Sequence, residues 1–344
     1  MRAFSFIFEL STTNSIHLIM NKETSKAEYA SRINKVLDYI ENNLDKDLSL
    51  NNLASLANFS PFYFHRIFSA IIGETLNGFI QRIKIEKAAM QLVMNPKKSI
   101  TEIALDCGFS SSSSFARSFK EYFGISATEW REDEELRSSK ICKTNDNIGK
   151  PKSKDSKEFG ITSMYLYNES NNLIWRLTMI DKKELNVVVK DMPETELAYV
   201  RHIGPYQGNP ALFESLINKL CKWAGPRGLL KFPETKIICV YHDNPDVTED
   251  SKLRLSVCIN VDPGTKADGE FGIMKIPAGK YAIARFELES NEYKEAWELV
   301  YGGWLPESGF QPADGLCFEM YHNDPKTHPK GLAIVDICIP VMPL

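Results

Sequence analysis

The sequence predicts a multidomain chain: an all-α head of two helix-turn-helix units and an α+β tail of two pseudo-symmetric β-α-β-β halves. Three observations carry this. One pattern is written twice in residues 49–130, a second is written twice in residues 185–344, and a stretch rich in Lys, Asp, Ser and Asn separates them. Internal repeats set architecture and are sought first. With 344 residues, 43% apolar and 25% charged, the chain is long enough for two or more cored domains.

The first repeat begins at Ser49-Leu50, continues through Leu53-Ala54, Ala57 and Phe59-Ser60, and recurs fifty positions on as Ser99-Ile100, Ile103-Ala104, Cys107 and Phe109-Ser110. After one inserted residue the offset becomes fifty-one, so Phe64, Arg66, Phe68 and Gly73 answer to Phe115, Arg117, Phe119 and Gly124. Each copy reads as a short helix, a tight turn and a longer helix. Ser49 and Ser99 are N-cap candidates. Ser60-Pro61 restarts the first copy with proline at the first helical position, where its missing N–H costs nothing. Gly108 permits the second turn, and Ser110 is the expected second cap. Ile67, Phe68, Ile71 and Ile72 give one longer helix its buried side, and Phe115, Phe119, Tyr122 and Phe123 give the other. In such a motif the second helix enters the DNA major groove.

Between the copies, Thr75 to Asn95 lacks proline and reads as one long helix ended by Asn95-Pro96. A spacer of about twenty residues spans roughly 30 Å, close to the roughly 34 Å of one DNA turn. Two readers held this way would meet successive major grooves.

Residues 31–131 resemble the AraC/XylS class of bacterial transcription regulators. The resemblance rests on Ala54, on Ser60-Pro61-Phe62-Tyr63-Phe64-His65-Arg66-Ile67-Phe68, on Gly73, on the Ile103-Ala104 to Gly108-Phe109 run, and on Phe115 to Gly124. It implies base contacts by Phe62, His65 and Arg66 of the first unit and by Ser112, Ser113, Ala116 and Arg117 of the second. The chemistry is uneven. Arg66 and Arg117 each offer a fork for guanine or phosphate, and His65 one hydrogen bond, whereas serines discriminate poorly. A solvent-facing His65 without a role, or arginines tethered to acids of the fold, are the competing readings. Residues 26–131 hold thirteen Lys/Arg and eleven Asp/Glu, so the repeat and not a basic patch points to duplex DNA. Lys84, Lys97, Lys98 and Lys120 are the candidate phosphate contacts.

Residues 1–26 form an N-terminal extension, and the head is expected to occupy 27–131. Because the resemblance begins after the extension, translation is expected to start at Met20. The first twenty residues include Glu9 and lack a basic cluster and a small-residue cleavage site, so no signal peptide is expected, and no apolar run reaches membrane-span length. A net charge of −4 and a pI near 6.0 fit a soluble cytoplasmic protein. The seven cysteines (107, 142, 221, 239, 258, 317, 338) form no CxxC pair. His202, His242, His322 and His328 lack ligand spacing, so neither a metal nor a cofactor is expected. Cys142 falls in the polar linker 132–184, which is also expected to hold a hairpin at 161–180.

In residues 185–344, Val189, Met192-Pro193, Ala198 and Arg201 match Ile273, Ile276-Pro277, Ala282 and Arg285 at an offset of eighty-four. Tyr241-His242 and Pro245 match Tyr321-His322 and Pro325 at eighty. Helices are expected at Pro210–Ala224 and Asn291–Trp304. This part resembles the GyrI-like effector-binding domain, on Gly204-Pro205-Tyr206, on Ile276 to Ala282, on Phe318-Glu319-Met320-Tyr321 with Asp324-Pro325, and on the terminal Ile337–Val341 run. The resemblance implies a small amphipathic, often cationic, molecule between the halves and assigns the counter-ion role to Glu319. From the residues alone, Glu319 is notable because its partner at the eighty-residue offset is Cys239. Strand alternation puts Cys317, Glu319 and Tyr321 on one face. Ring faces for a cation would come from Tyr206, Trp297, Trp304 and Tyr321, and the competing reading has Glu319 in solvent or paired with an arginine.

The preferred reading is an effector-responsive transcription regulator, not an enzyme, with DNA and a small molecule as partners. It also allows RNA polymerase as a partner in activation. The alternatives make the tail a small-molecule hydrolase, with a buried glutamate as general base, or a protein-interaction module. Operator, effector and oligomeric state are not written in the sequence.

Overall fold

A computed structural model describes the backbone of residues 2–133, 161–167, 173–179, 185–245 and 248–344, and side chains for 22–133, 185–245 and 248–344. Of the expected linker 132–184, residues 134–160, 168–172 and 180–184, Cys142 among them, lie outside the described residues, and its first residue, Glu132, closes a helix instead. The chain divides into two compact units, residues 26–182 and residues 183–344 with 1–25.

The helices are α1 (Arg2–Asn42), of which only the part from residue 26 belongs to the first unit, and, within that unit, α2 (Leu50–Leu56), α3 (Pro61–Ile72), α4 (Leu76–Met94), α5 (Ile100–Asp106), α6 (Ser112–Phe123) and α7 (Ala127–Glu132). The expected N-terminal extension thus runs on into a helix reaching Asn42. The pairs α2–α3 and α5–α6 are the two copies of the repeat. Their boundaries follow from capping. Ser49 accepts from Asn52 N, and Ser99 with Glu102 closes a capping box. Ser110 is not the second restart cap. Ser111 is, accepting from Ser114 N, which is where the offset of fifty-one carries Ser60. Gly73 and Gly124 end the longer helices in the left-handed region, at φ 78° and 73°.

The turns are built alike. Asn58 and Gly108 occupy the same place with φ 56° and 78°. A β-carbon on Gly108 would lie 1.9 Å from Leu44 O, and Lys84 Nζ donates to Gly108 O at 2.6 Å. Only glycine fits there.

Helix α4 is unbroken from its cap, Thr75, to Asn95. Its nineteen residues span about 28 Å. Its first half packs on α3, with Phe68 and Phe79 edge-to-face at 5.6 Å. Its second half joins the other core with Phe115, Phe119, Phe123 and Trp130. Trp130 Nε1 donates to Ala89 O, and Arg131 to Leu92 O and Lys98 O, which pins α7 to the rod. The expected hairpin is present as β1 (Ile161–Tyr167) and β2 (Leu173–Met179), paired antiparallel.

The second unit holds β3 (Val187–Met192), β4 (Thr195–Ile203), α8 (Pro210–Ala224), β5 (Ile237–Tyr241), β6 (Arg254–Asn260), β7 (Phe271–Ile276), β8 (Gly279–Leu288), α9 (Tyr293–Glu298), β9 (Phe310–Pro312), β10 (Phe318–Tyr321) and β11 (Ala333–Pro343). Helix α9 continues as a π-helical turn over Leu299–Trp304, and it begins two residues later than expected. The expected β-α-β-β halves each gain a strand at the front. Pro193 and Pro277 supply no N–H, so the first stretch of each half breaks into two strands (β3–β4 and β7–β8).

The sheet runs β3-β8-β11-β10-β5-β6-β4-β7, with β9 on the end of β11. Each half therefore lends its first strand to the other: β3 pairs β8, and β7 pairs β4. The register obeys the sequence offsets. Val189 faces Ala282, and Ala198 faces Ile273, so residues matched at eighty-four exchange places. The pseudo-twofold passes between β5 and β10, where Glu319 lies opposite Cys239. One face packs Cys239, Val257 and Leu255 against Leu216, Leu220 and Trp223 of α8. The other buries Phe318, Val240, Cys338 and Tyr281.

Candidate functional site

On α6, Ser112, Ser113, Ala116 and Arg117 are exposed, while Phe115, Phe119 and Phe123 face the core. This helix presents an open polar face beginning at its N-terminus, where backbone N–H groups and their dipole suit phosphate. On α3 the expected readers are less open. Phe62 is half-buried and edge-on to Tyr63, and the Arg66 guanidinium lies over the Phe62 ring at 4.6 Å. His65 is 3% exposed, which corrects the expectation of an open histidine. The buried arc of α3 is wider than its apolar stripe, and β1 runs against this helix. Among the candidate phosphate contacts, Lys84 is bound to Gly108 O and Lys98 is paired with Asp106, whereas Lys97 and Lys120 are exposed.

In the second unit Glu319 is 1% exposed, so it does not face solvent. Three donors converge on it. Trp297 Nε1 donates to Oε1 at 2.7 Å, and the Tyr241 and Tyr321 hydroxyls donate to Oε2 at 2.7 and 2.8 Å. These are short, charge-assisted bonds. Burial, together with the nearby Glu319 charge, pushes the Tyr241 and Tyr321 phenols well above their ordinary range, so both stay protonated and act as donors. Burial likewise pushes the Tyr293 phenol up to about 12.

The rings around the carboxylate form two runs. Tyr206 packs on Tyr241 at 5.5 Å, Tyr241 meets Trp297 edge-to-face at 6.3 Å, Trp297 stacks on Tyr301 at 5.9 Å, and Tyr293 lies 6.4 Å from Tyr321. Sheet, α9 and the loop before α8 contribute together. A buried carboxylate among ring faces favours an organic cation. Of the expected effector residues, Glu319, Tyr206, Trp297 and Tyr321 belong to this cluster. Trp304 instead stacks on Phe310 at 6.4 Å, on the turn beyond α9. Tyr241, Tyr293 and Tyr301 were not anticipated. Tyr241 was legible in principle, because it is the offset-eighty counterpart of Tyr321.

Two helix-turn-helix units on one rod, joined to a duplicated sheet domain with a buried carboxylate, define a DNA-binding transcription regulator with a small-molecule domain. Comparison with known proteins agrees. Residues 53–133 match the family described as "Helix-turn-helix domain", and residues 185–342 match "GyrI-like small molecule binding domain". The chain is 40% identical over 99 residues to the Transposon Tn10 TetD protein of Escherichia coli (29% of this chain, 71% of that one). It is 36% identical over 102 residues to the HTH-type transcriptional activator AarP of Providencia stuartii (30% and 75%). It is 31% identical over 133 residues to DNA gyrase inhibitor 2 of Dickeya dadantii (strain 3937) (38% and 80%). The chain belongs to the AraC-type helix-turn-helix regulators, and its second part is a GyrI-like small-molecule-binding domain. Among the described residues no helix is long and apolar enough to cross a membrane.

Proposed function

We propose that this regulator reads duplex DNA chiefly through Arg117, Ser112, Ser113 and Ala116 of α6, assisted by Arg66 and Phe62 of α3, and that its effector is an amphipathic organic cation held against Glu319. The buried carboxylate, gripped by three donors and walled by aromatic rings, is the observation that carries the effector class. The open Arg117 fork supports direct readout by α6. Activation through RNA polymerase in the cytoplasm is the accompanying reading, supported by the name of the Providencia relative. The effector acts only if it binds one functional state more tightly than the other.

Calorimetry with a lipophilic cationic dye and its neutral analogue tests the tail. The cation binds and the neutral analogue binds at least about tenfold more weakly. Glu319→Gln should remove that preference, and unchanged affinity in this variant would take the counter-ion role away from Glu319. Gel shifts test the head. Arg117→Ala should weaken operator binding by about 1–3 kcal/mol, and more than Arg66→Ala does.

A further inference from the structure

The pseudo-twofold sets two polar groups in equivalent places on the sheet face opposite Glu319. In the second half Arg285 grips Asp336 with both prongs, Nε at 2.7 Å and Nη2 at 2.8 Å. His322 Nε2 lies 2.7 Å from the same carboxylate. Their counterparts at offsets eighty-four and eighty are Arg201, His242 and Ser256, in the same strand register: Arg201 faces Ser256 as Arg285 faces Asp336. The first half thus repeats the arginine and the histidine without the carboxylate.

Ser256 is fully buried. Its hydroxyl accepts from Arg201 Nε at 3.2 Å and lies 2.9 Å from His242 Nε2. The Nη groups of Arg201 have no partner among the described residues. Something else holds that guanidinium: it lies over the Tyr199 ring at 4.7 Å. Tyr199 faces Gly272 across the β4–β7 pair, and a β-carbon there would come within 2.4 Å of the tyrosine ring. In the other half the equivalent pair is Ile283 and Val188, with no ring. The first half therefore carries a bare glycine, a ring and an arginine where the second carries an ion pair. Among the described residues, the other charges acting on His242 are Arg254 and Asp243, which hold one another by two bonds at 2.8 and 2.9 Å. Among the described residues the guanidinium of Arg201 is thus left as an excess positive charge.

We propose that Arg201, His242 and Ser256 bind the carboxylate group of a small free ligand, which takes the place that Asp336 fills in the other half. Arg201 supplies the fork, His242 the second donor, and Ser256 the hydroxyl that orients both. A half-exposed site of this kind binds in the roughly millimolar range. This site is separate from the cation site at Glu319 and stands whether or not that reading holds.

His242 reports on occupancy. Burial first, then Arg201 and Arg254 against the opposing Asp243, holds its imidazole down to about 4, and an anion beside it would reverse part of that. The experiment follows the imidazole resonances of the labelled full-length protein, with His242 assigned by His242→Gln. Acetate, inorganic phosphate and chloride are added in turn at constant ionic strength. Acetate should raise the His242 midpoint saturably by about one pH unit, and chloride should not. Arg201→Gln should abolish the response. Ser256→Asp should abolish it too while raising the midpoint without acetate, and if that variant fails to fold, Arg201→Gln decides alone. The proposal is overturned if acetate does no more than chloride, if the response survives in Arg201→Gln, or if phosphate acts and acetate does not.

Discussion

Single positions decide whether each unit of this protein can form. At Gly108 a methyl group would strike the Leu44 carbonyl and would also have to adopt a left-handed conformation. Gly108→Ala should destabilise the head by about 1–3 kcal/mol, read as a lower denaturation midpoint. Gly108→Asn should lose about as much: asparagine tolerates the left-handed region, as at the matching Asn58, but its β-carbon meets the same Leu44 carbonyl. A second prediction concerns acid. A histidine held down to about 4 takes up its proton more readily in the unfolded chain, whose value is 6.5. Its stability contribution is complete above 6.5 and is lost as pH falls from there towards 4. In the absence of carboxylates, His242→Gln should therefore lose less stability than the parent over that window in urea titrations.

Site residues were legible where two signals met. Glu319 stood out because a repeat offered Cys239 for comparison, and alternation assigned its face. Trp304 was misplaced because the π-helical turn shifts the side chains that follow Trp297 away from regular helical spacing. His65 was misjudged because helical periodicity describes one packed side, and α3 is covered on more than one.

At the scale of elements, the helical head was readable almost residue by residue. Caps, a turn residue of positive φ and the proline restart are local, and the duplication confirmed each by a second copy. The strands at the front of each half were not separated. Their partners lie in the opposite half, about ninety residues away in the Val189–Ala282 pair, and no local pattern reports so distant a pairing. The rod α4 invites a direct test. Gln81 is exposed on it, so Gln81→Pro would disturb little except the backbone. It should cost about 3 kcal/mol or more and kink the helix. Footprints of any folded variant should lose simultaneous protection of the two successive groove segments.

For the molecule as a whole, the two sites obey a thermodynamic symmetry whatever carries their coupling. If the effector changes operator affinity by some factor, the operator must change effector affinity by the same factor. Parallel titrations, dye into protein with and without operator and operator into protein with and without dye, should return equal ratios. The exchange of strands β3 and β7 bears on how such a sensor could arise. Two identical halves assembled around a true dyad would have to set the same residue on both sides of it, cysteine against cysteine or carboxylate against carboxylate, and facing like charges repel. Covalent fusion lifts that restriction. Once both halves lie on one chain they can drift apart in identity, and a lone acid can sit beside the axis, as Glu319 does opposite Cys239. The receptor's one-sidedness is thus a freedom that only tandem duplication grants.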